Sequence, residues 1–173
     1  MKKTLLLLAM LPFVFMACEK EEKQDDTQNL PNEMIIRDTT YNLKGAYLND
    51  LYTYRGKTYY DLWFIGDGIN LDNSSEYTKI TGNGKFFNLS LMLNDSTGIP
   101  TGNIADSVVN HMASYKMVND DWQYIDDEWK SKSLVSVSKN GQTYNINFEL
   151  TDSMNKKTSV RYKGQLGRSN IGR

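Results

Sequence analysis

The segment Asp120-Asp121-Trp122-Gln123-Tyr124-Ile125-Asp126-Asp127-Glu128-Trp129 concentrates the side chains of this 173-residue chain best suited to chemistry, with five acids around two tryptophans and a tyrosine. A flat aromatic ring can stack on the C–H face of a sugar while carboxylates accept hydrogen bonds from its hydroxyls. Trp122, Tyr124, Trp129, Asp121 and Asp126 therefore form a candidate glycan-binding set. As a strand, the segment places Trp122 and Tyr124 on one face and Trp129 on the other; as a helix, Trp122, Ile125 and Trp129 share a stripe. The alternative in either geometry is that the aromatics are core residues and the acids are solvated around them. The same carboxylates could serve as a glycosidase acid and base, which requires them about 5–9 Å apart across a cleft. Sequence neighbours on a hairpin tip rarely frame one.

Other chemical constellations are sparse. Asp67, Asn70, Asp72, Asn73 and Glu76 offer oxygen donors in a glycine-containing loop, as calcium would need. Their spacing is not that of an EF-hand, and such clusters are also ordinary turn chemistry. His111 is the one imidazole, so a Ser-His-Asp triad would depend on it, yet no nucleophile elbow lies nearby. With one Cys, Cys18, and one His, a disulfide framework and a Cys/His zinc site are excluded. No metal and no cofactor are implied. Lys+Arg number 20 against 21 Asp+Glu, a balance that implies no nucleic-acid partner. After Leu150 the charge turns basic, with Lys156, Lys157, Arg161, Lys163, Arg168 and Arg173 against Asp152 alone. That stretch reads as a patch for an anionic partner or as the solvated face of an edge strand, where Lys and Arg discourage sheet association.

The elements that must position these residues start after an address. Lys2 and Lys3 precede an apolar run from Leu5 to Ala17, the n-region and h-region of a secretory signal. At ~1.5 Å per residue that run reaches about 20 Å as a helix, short of the ~30 Å hydrocarbon core, and Pro12 interrupts it. Phe15-Met16-Ala17-Cys18 resembles a bacterial lipobox, with Phe15 and Met16 where Leu and Ala or Ser are usual. The resemblance implies a signal peptide over 1–17 and a Cys18 that carries the lipid and anchors the chain to the membrane. Residues 19–33 hold six acids and two lysines and no apolar residue before Leu30, so they read as a solvated tether. Their acidity resembles the signal that follows the lipidated Cys in Bacteroidota lipoproteins exported to the cell surface. The other reading is a periplasm-facing linker.

From Met34 onward the dominant period is two. Phe87, Leu89, Leu91 and Leu93 alternate with Asn88, Ser90 and Met92; Tyr144, Ile146, Phe148 and Leu150 alternate with Asn145, Asn147 and Glu149; Val160, Tyr162 and Leu166 occupy one face of a last run. Further strands are predicted over 40–48, 58–65 and 77–81 and from about 133. Asn140-Gly141 is a strong hairpin signal, and Arg55-Gly56-Lys57, Gly82-Asn83-Gly84 and Asp152-Ser153-Met154-Asn155 mark other turns. Eight or nine short antiparallel strands in one domain over 34–168 imply a meander closed as a β-barrel or stacked as a two-sheet sandwich. Ile104, Val108, Met112 and Tyr115 fall at helical spacing, with Asn103 as N-cap, which predicts one short helix near 103–117. Residues 169–173 read as a flexible tail.

This order of features resembles small Bacteroidota lipoproteins of unknown function. The likeness rests on Lys57-Thr58-Tyr59-Tyr60-Asp61-Leu62-Trp63-Phe64, on the turn Ile99-Pro100-Thr101-Gly102, and on a terminal hairpin closing at Tyr162-Lys163-Gly164. Asp38-Thr39-Thr40, Asp95-Ser96-Thr97, Asp106-Ser107-Val108 and Asp152-Ser153-Met154 resemble the Asp-Ser/Thr-apolar sequon of O-glycosylation in that group; each is also ordinary turn chemistry. The expectation is an outer-membrane, lipid-anchored protein, exposed at the cell surface or facing the periplasm. Its domain is expected to bind a glycan or mediate adhesion without catalysis, or to serve as a subunit of an outer-membrane protein assembly. A glycan-active hydrolase is the remote alternative.

Overall fold

Nearly every run of period two lies within a strand of the computed structural model, which describes residues 31–49, 52–94, 98–126, 129–132 and 135–171. The signal peptide, Cys18, the tether up to Leu30 and the sequon at 95–97 lie outside the described residues. In chain order the strands are β1 (Glu33–Ile36), β2 (Thr39–Asn49), β3 (Tyr52–Tyr54), β4 (Lys57–Gly66), β5 (Ile69–Asp72), β6 (Lys79–Gly82), β7 (Gly84–Leu93) and β8 (Gly102–Ile104). They continue as β9 (Val109–Val118), β10 (Asp121–Asp126), β11 (Trp129–Lys132), β12 (Val135–Asn140), β13 (Thr143–Asp152), β14 (Lys157–Gln165) and β15 (Gly167–Ser169). The strands expected over 40–48, 58–65, 77–81 and 87–93, from about 133, over 144–150 and in the last run correspond to β2, β4, β6, β7, β12, β13 and β14. Of the strands not expected one by one, β1, β3, β5, β8, β11 and β15 have only three or four residues each, too few to display a period.

One sheet runs β10-β9-β7-β4-β2-β1-β14-β13-β12-β8. It folds over so that its halves face each other across a first core, where Phe148 lies 5.0 Å from Phe87 and 5.9 Å from Phe64 between ring centroids. Its ends, β10 and β8, do not pair, so the fold is sandwich-like and all-β and the barrel is not formed. The outer face of β4, β7 and β9 buries a second core of Trp63, Ile65, Phe86 and Met117 under Ile69 and Ile80 of the β5–β6 hairpin and Ile171. Gly68 and Gly82 let that hairpin start against the sheet. Both have positive φ, and a Cβ on either would lie 2.1 Å from a backbone carbonyl oxygen.

Three expectations are corrected. Residues 103–117 do not form the predicted helix; after β8 there is one 3-10 turn, Asp106–Val108, and then β9. Asn103 caps nothing, since the turn starts after Ala105, which makes no side-chain cap bond. The apparent helical spacing arises because β9 is covered on both faces, with Met112 in the first core and Met117 in the second, so alternation is lost. Of the segment expected to be a free tail, residues 169–171 instead pack, and 172–173 lie outside the described residues. β15 runs parallel to β2, Ser169 is buried, and Ile171 is fully enclosed. The basic C-terminal stretch is not an edge strand either, because β14 lies between β13 and β1, and Lys156, Lys157 and Arg161 pair with Asp38, Glu149 and Glu33.

The β1–β2 turn carries positive φ at both Arg37 and Asp38, as a type I′ turn does. Asp38 accepts hydrogen bonds from the Lys156 ammonium and from the Lys157 backbone N–H, which together hold its carboxyl below the ordinary value of 3.8. A depressed folded-state pKa stabilises the protein above the unfolded value, and this contribution is lost as pH falls through the folded value. Asp38→Asn is therefore expected to flatten the acid limb of stability against pH below 3.8, to leave the curve around neutrality parallel to that of the wild type, and to alter the alkaline limb above 10.5, where Asp38 holds the Lys156 ammonium protonated, as urea melts across pH would read.

Candidate functional site

The strand that carries the aromatic segment is held from behind. The type I′ turn Asn119-Asp120 reverses the chain from β9 into β10. It is tied to the Gly82-Asn83 turn, since Asn119 N–H donates to Asn83 Oδ1 at 2.9 Å and Gly82 N–H donates to Asp120 Oδ1 at 2.7 Å. β10 pairs with β9 alone, and register sets Trp122 opposite Met117 and Tyr124 opposite Tyr115 on the outer face. The Trp122 ring lies 5.3 Å from Phe86, 5.8 Å from Trp63 and 6.1 Å from Tyr115, and Tyr124 meets Tyr115 edge-on at 5.3 Å. Even so, Trp122 remains 39% and Tyr124 49% exposed. The two rings are fixed at one side and open at the other, where core aromatics would be closed on both.

The remaining members of the candidate set do not join them. Trp129 opens β11, whose partner is β13 in the other half of the sheet. Asp121 is exposed at the start of β10, on the opposite strand face from Trp122. Asp126 is nearly buried and belongs to an ion cluster: Arg37 Nη2 donates to Asp126 Oδ2 at 3.0 Å and to Ile125 O at 3.2 Å. Arg37 Nε stands 3.3 Å from Oδ2 of Asp152, which is fully buried at the end of β13. Arg37 thus joins β10 to β13 where backbone pairing leaves the sheet open. Asp121 and Asp126 are separated by about 16 Å of strand at ~3.3 Å per residue, outside the range that a glycosidase pair uses.

The other constellations resolve locally. Asp67 and Asn70 accept from Asn42 and Lys44, Asp72 from the Ser74 N–H and Asn73 from the Thr78 hydroxyl. Among the described residues no three acid, His or Cys side chains converge as metal ligands. Register places Asp61, Ser90 and His111 in one row across β4, β7 and β9. The serine stands between acid and imidazole, the reverse of a triad's order, and its hydroxyl accepts from Asn110 at 3.5 Å. Of the sequon hydroxyls, Thr39, Ser107 and Ser153 are exposed.

A second feature, absent from the sequence reading, adjoins the aromatic pair. The β1–β2 turn, β7, β9 and β10 enclose a cavity of about 350 Å³ whose wall includes Arg37, Lys85, Lys116, Tyr41 and Tyr124. Lys85 and Lys116 are directly opposite each other across β7 and β9. Neither ammonium pairs with an acid among the described residues. Burial, and then the like charge of Lys116, push the Lys85 ammonium below the ordinary lysine value of 10.5. Two facing cations are destabilising in a sheet, and perturbed ionisable groups in a cleft mark candidate sites. Another cavity of about 360 Å³, over β1, β13 and β14, is lined by the mutually neutralised pairs Glu33–Arg161 and Glu149–Lys157. No protein-family model, no curated protein and no solved structure matches this chain.

Proposed function

We propose that this chain is a lipid-anchored envelope protein of the outer membrane, held through Cys18 and displayed at the cell surface, whose β domain binds glycans without catalysis. The observation that supports this reading is the pair Trp122 and Tyr124: adjacent on one face of an edge strand, immobilised by Trp63, Phe86 and Tyr115, and exposed on the side away from them. Rings held this way lose little side-chain freedom when a sugar stacks on them, so more of the contact energy appears as affinity. The pairing of β10 with β9 alone among the described residues favours a second reading, in which an outer-membrane partner protein adds to that edge.

A glycan screen with the full chain tests the first reading. Trp122→Ala is expected to lower the affinity for a glycan hit by about tenfold or more, roughly 1.4 kcal/mol, with Trp122→Phe recovering most of it. Isothermal titration of the hit against both variants reads the effect. A glycan hit indifferent to Trp122→Ala and to Tyr124→Ala would remove the aromatic platform.

A further inference from the structure

We infer that the cavity beside β10 receives the carboxylate of an acidic sugar unit, with Lys85 and Lys116 as its anion receptor. The inference rests on the glycan reading and names the kind of glycan. The two ammonium groups come from facing positions on β7 and β9, so one oxyanion can lie between them and relieve their mutual repulsion. Arg37 forms part of the wall, but its charge is already engaged by Asp126 and Asp152. The lysines are therefore the uncompensated charge of the cavity among the described residues. Their neighbours suit a sugar ring: Tyr41 offers aromatic surface and Thr39 a hydroxyl. The volume of about 350 Å³ stands at the low end of small-molecule pockets, about 300–1,000 Å³, which favours one sugar unit over a long chain segment. β10 stands between this cavity and the aromatic platform: the Tyr124 ring packs on Tyr115 on the outer face, and Lys85 and Lys116 lie one register row away on the opposite face, so a ligand that reaches both platform and cavity passes over this edge strand.

Lys85 and Lys116 face each other with no acid paired to either among the described residues, so no pairing described there explains them. Replacing them should not unfold the domain, which makes the test clean. The full chain is titrated at low salt with glucuronate, with neutral glucose and with inorganic sulfate, following the lysine side-chain NMR signals. Glucuronate is expected to bind at least tenfold more tightly than glucose and to shift the Lys85 and Lys116 resonances. Lys85→Met with Lys116→Met should abolish that preference. Lys116→Glu, which supplies Lys85 with an internal partner, should abolish it while raising the melting temperature.

Equal binding of glucuronate and glucose, or a preference that survives the double variant, overturns the assignment. So does a response to sulfate as strong as that to glucuronate, which would leave a site for any oxyanion. A glucuronate preference that persists in Trp122→Ala, in a protein that binds no neutral glycan, would retain the cavity and discard the aromatic platform. Neutral glycans lost with Trp122→Ala and no glucuronate response would do the reverse.

Discussion

Arg37→Ala is expected to destabilise the domain by about 3 kcal/mol, the lower part of the range for removing one partner of a buried ion pair, because the Arg37 side chain is itself 38% exposed. The loss is large because of what remains. Asp152 is fully buried, and without the guanidinium its Oδ2 has no cation within ion-pair distance among the described residues; Oδ1 stays bonded to the backbone N–H groups of Met154 and Lys156. Asp126 loses the Arg37 donor at the same time, and so does the Ile125 carbonyl. Arg37→Lys should recover under half of the loss, since a single ammonium cannot span both carboxylates as the planar fork does. The φ of +49° at position 37 separates charge from backbone: Arg37→Gly relieves the left-handed conformation by up to about 1 kcal/mol and should stand above alanine by that amount. Urea unfolding checks the series. If Arg37→Ala melts with the wild type, or if adding Asp152→Asn to it makes matters worse, the ion cluster is not what joins β10 to β13.

Truncation after Arg168 is expected to remove about 5 kcal/mol, of the same order as the whole stability of a small domain. Ile171 is enclosed against the second core, and its loss opens the surface that Trp63, Ile69 and Ile80 share with it. Asn49, itself buried, donates from Nδ2 to Ile171 O at 2.7 Å. Its Oδ1 accepts from Ile171 N–H at 2.9 Å and from the Ser169 hydroxyl at 2.8 Å. All three bonds would go, and a buried amide without partners is itself costly. Ile171→Ala alone should cost about 3 kcal/mol. Asn49→Ala in the truncated chain should add little, because its partners are already gone. A truncated chain whose urea midpoint matches that of the full chain would show that the β15 segment is dispensable.

These outcomes bear on what could be read before the structure. The long strands were legible because sheets with one wet face must alternate, as β13 does between Ile146, Phe148, Leu150 and their polar neighbours. The same rule failed at β9, where both faces are covered. It failed again after Gly167, where Arg-Ser-Asn-Ile carries no recognisable pattern and its burial depends on Asn49, some 120 residues earlier. The turn at Arg37-Asp38 was missed for a related reason: neither residue is a glycine or asparagine, and the left-handed backbone there is stabilised by what the two side chains reach, Asp126, Asp152 and Lys156.

The candidate site divides along the same line. The residues alone made the all-β class legible, and with it that Trp122 and Tyr124 would share a face if their segment formed a strand, because strand periodicity is a local property of the backbone. They could not determine that Asp126 turns to Arg37, that Trp129 leaves for the other half of the sheet, or that Lys85 and Lys116 face each other. Those are consequences of register and of a sheet folded over on itself, which bring together residues 23 to 89 positions apart. Tertiary structure decides such pairs because their energies depend on distance in space, and no spacing along the chain encodes that distance.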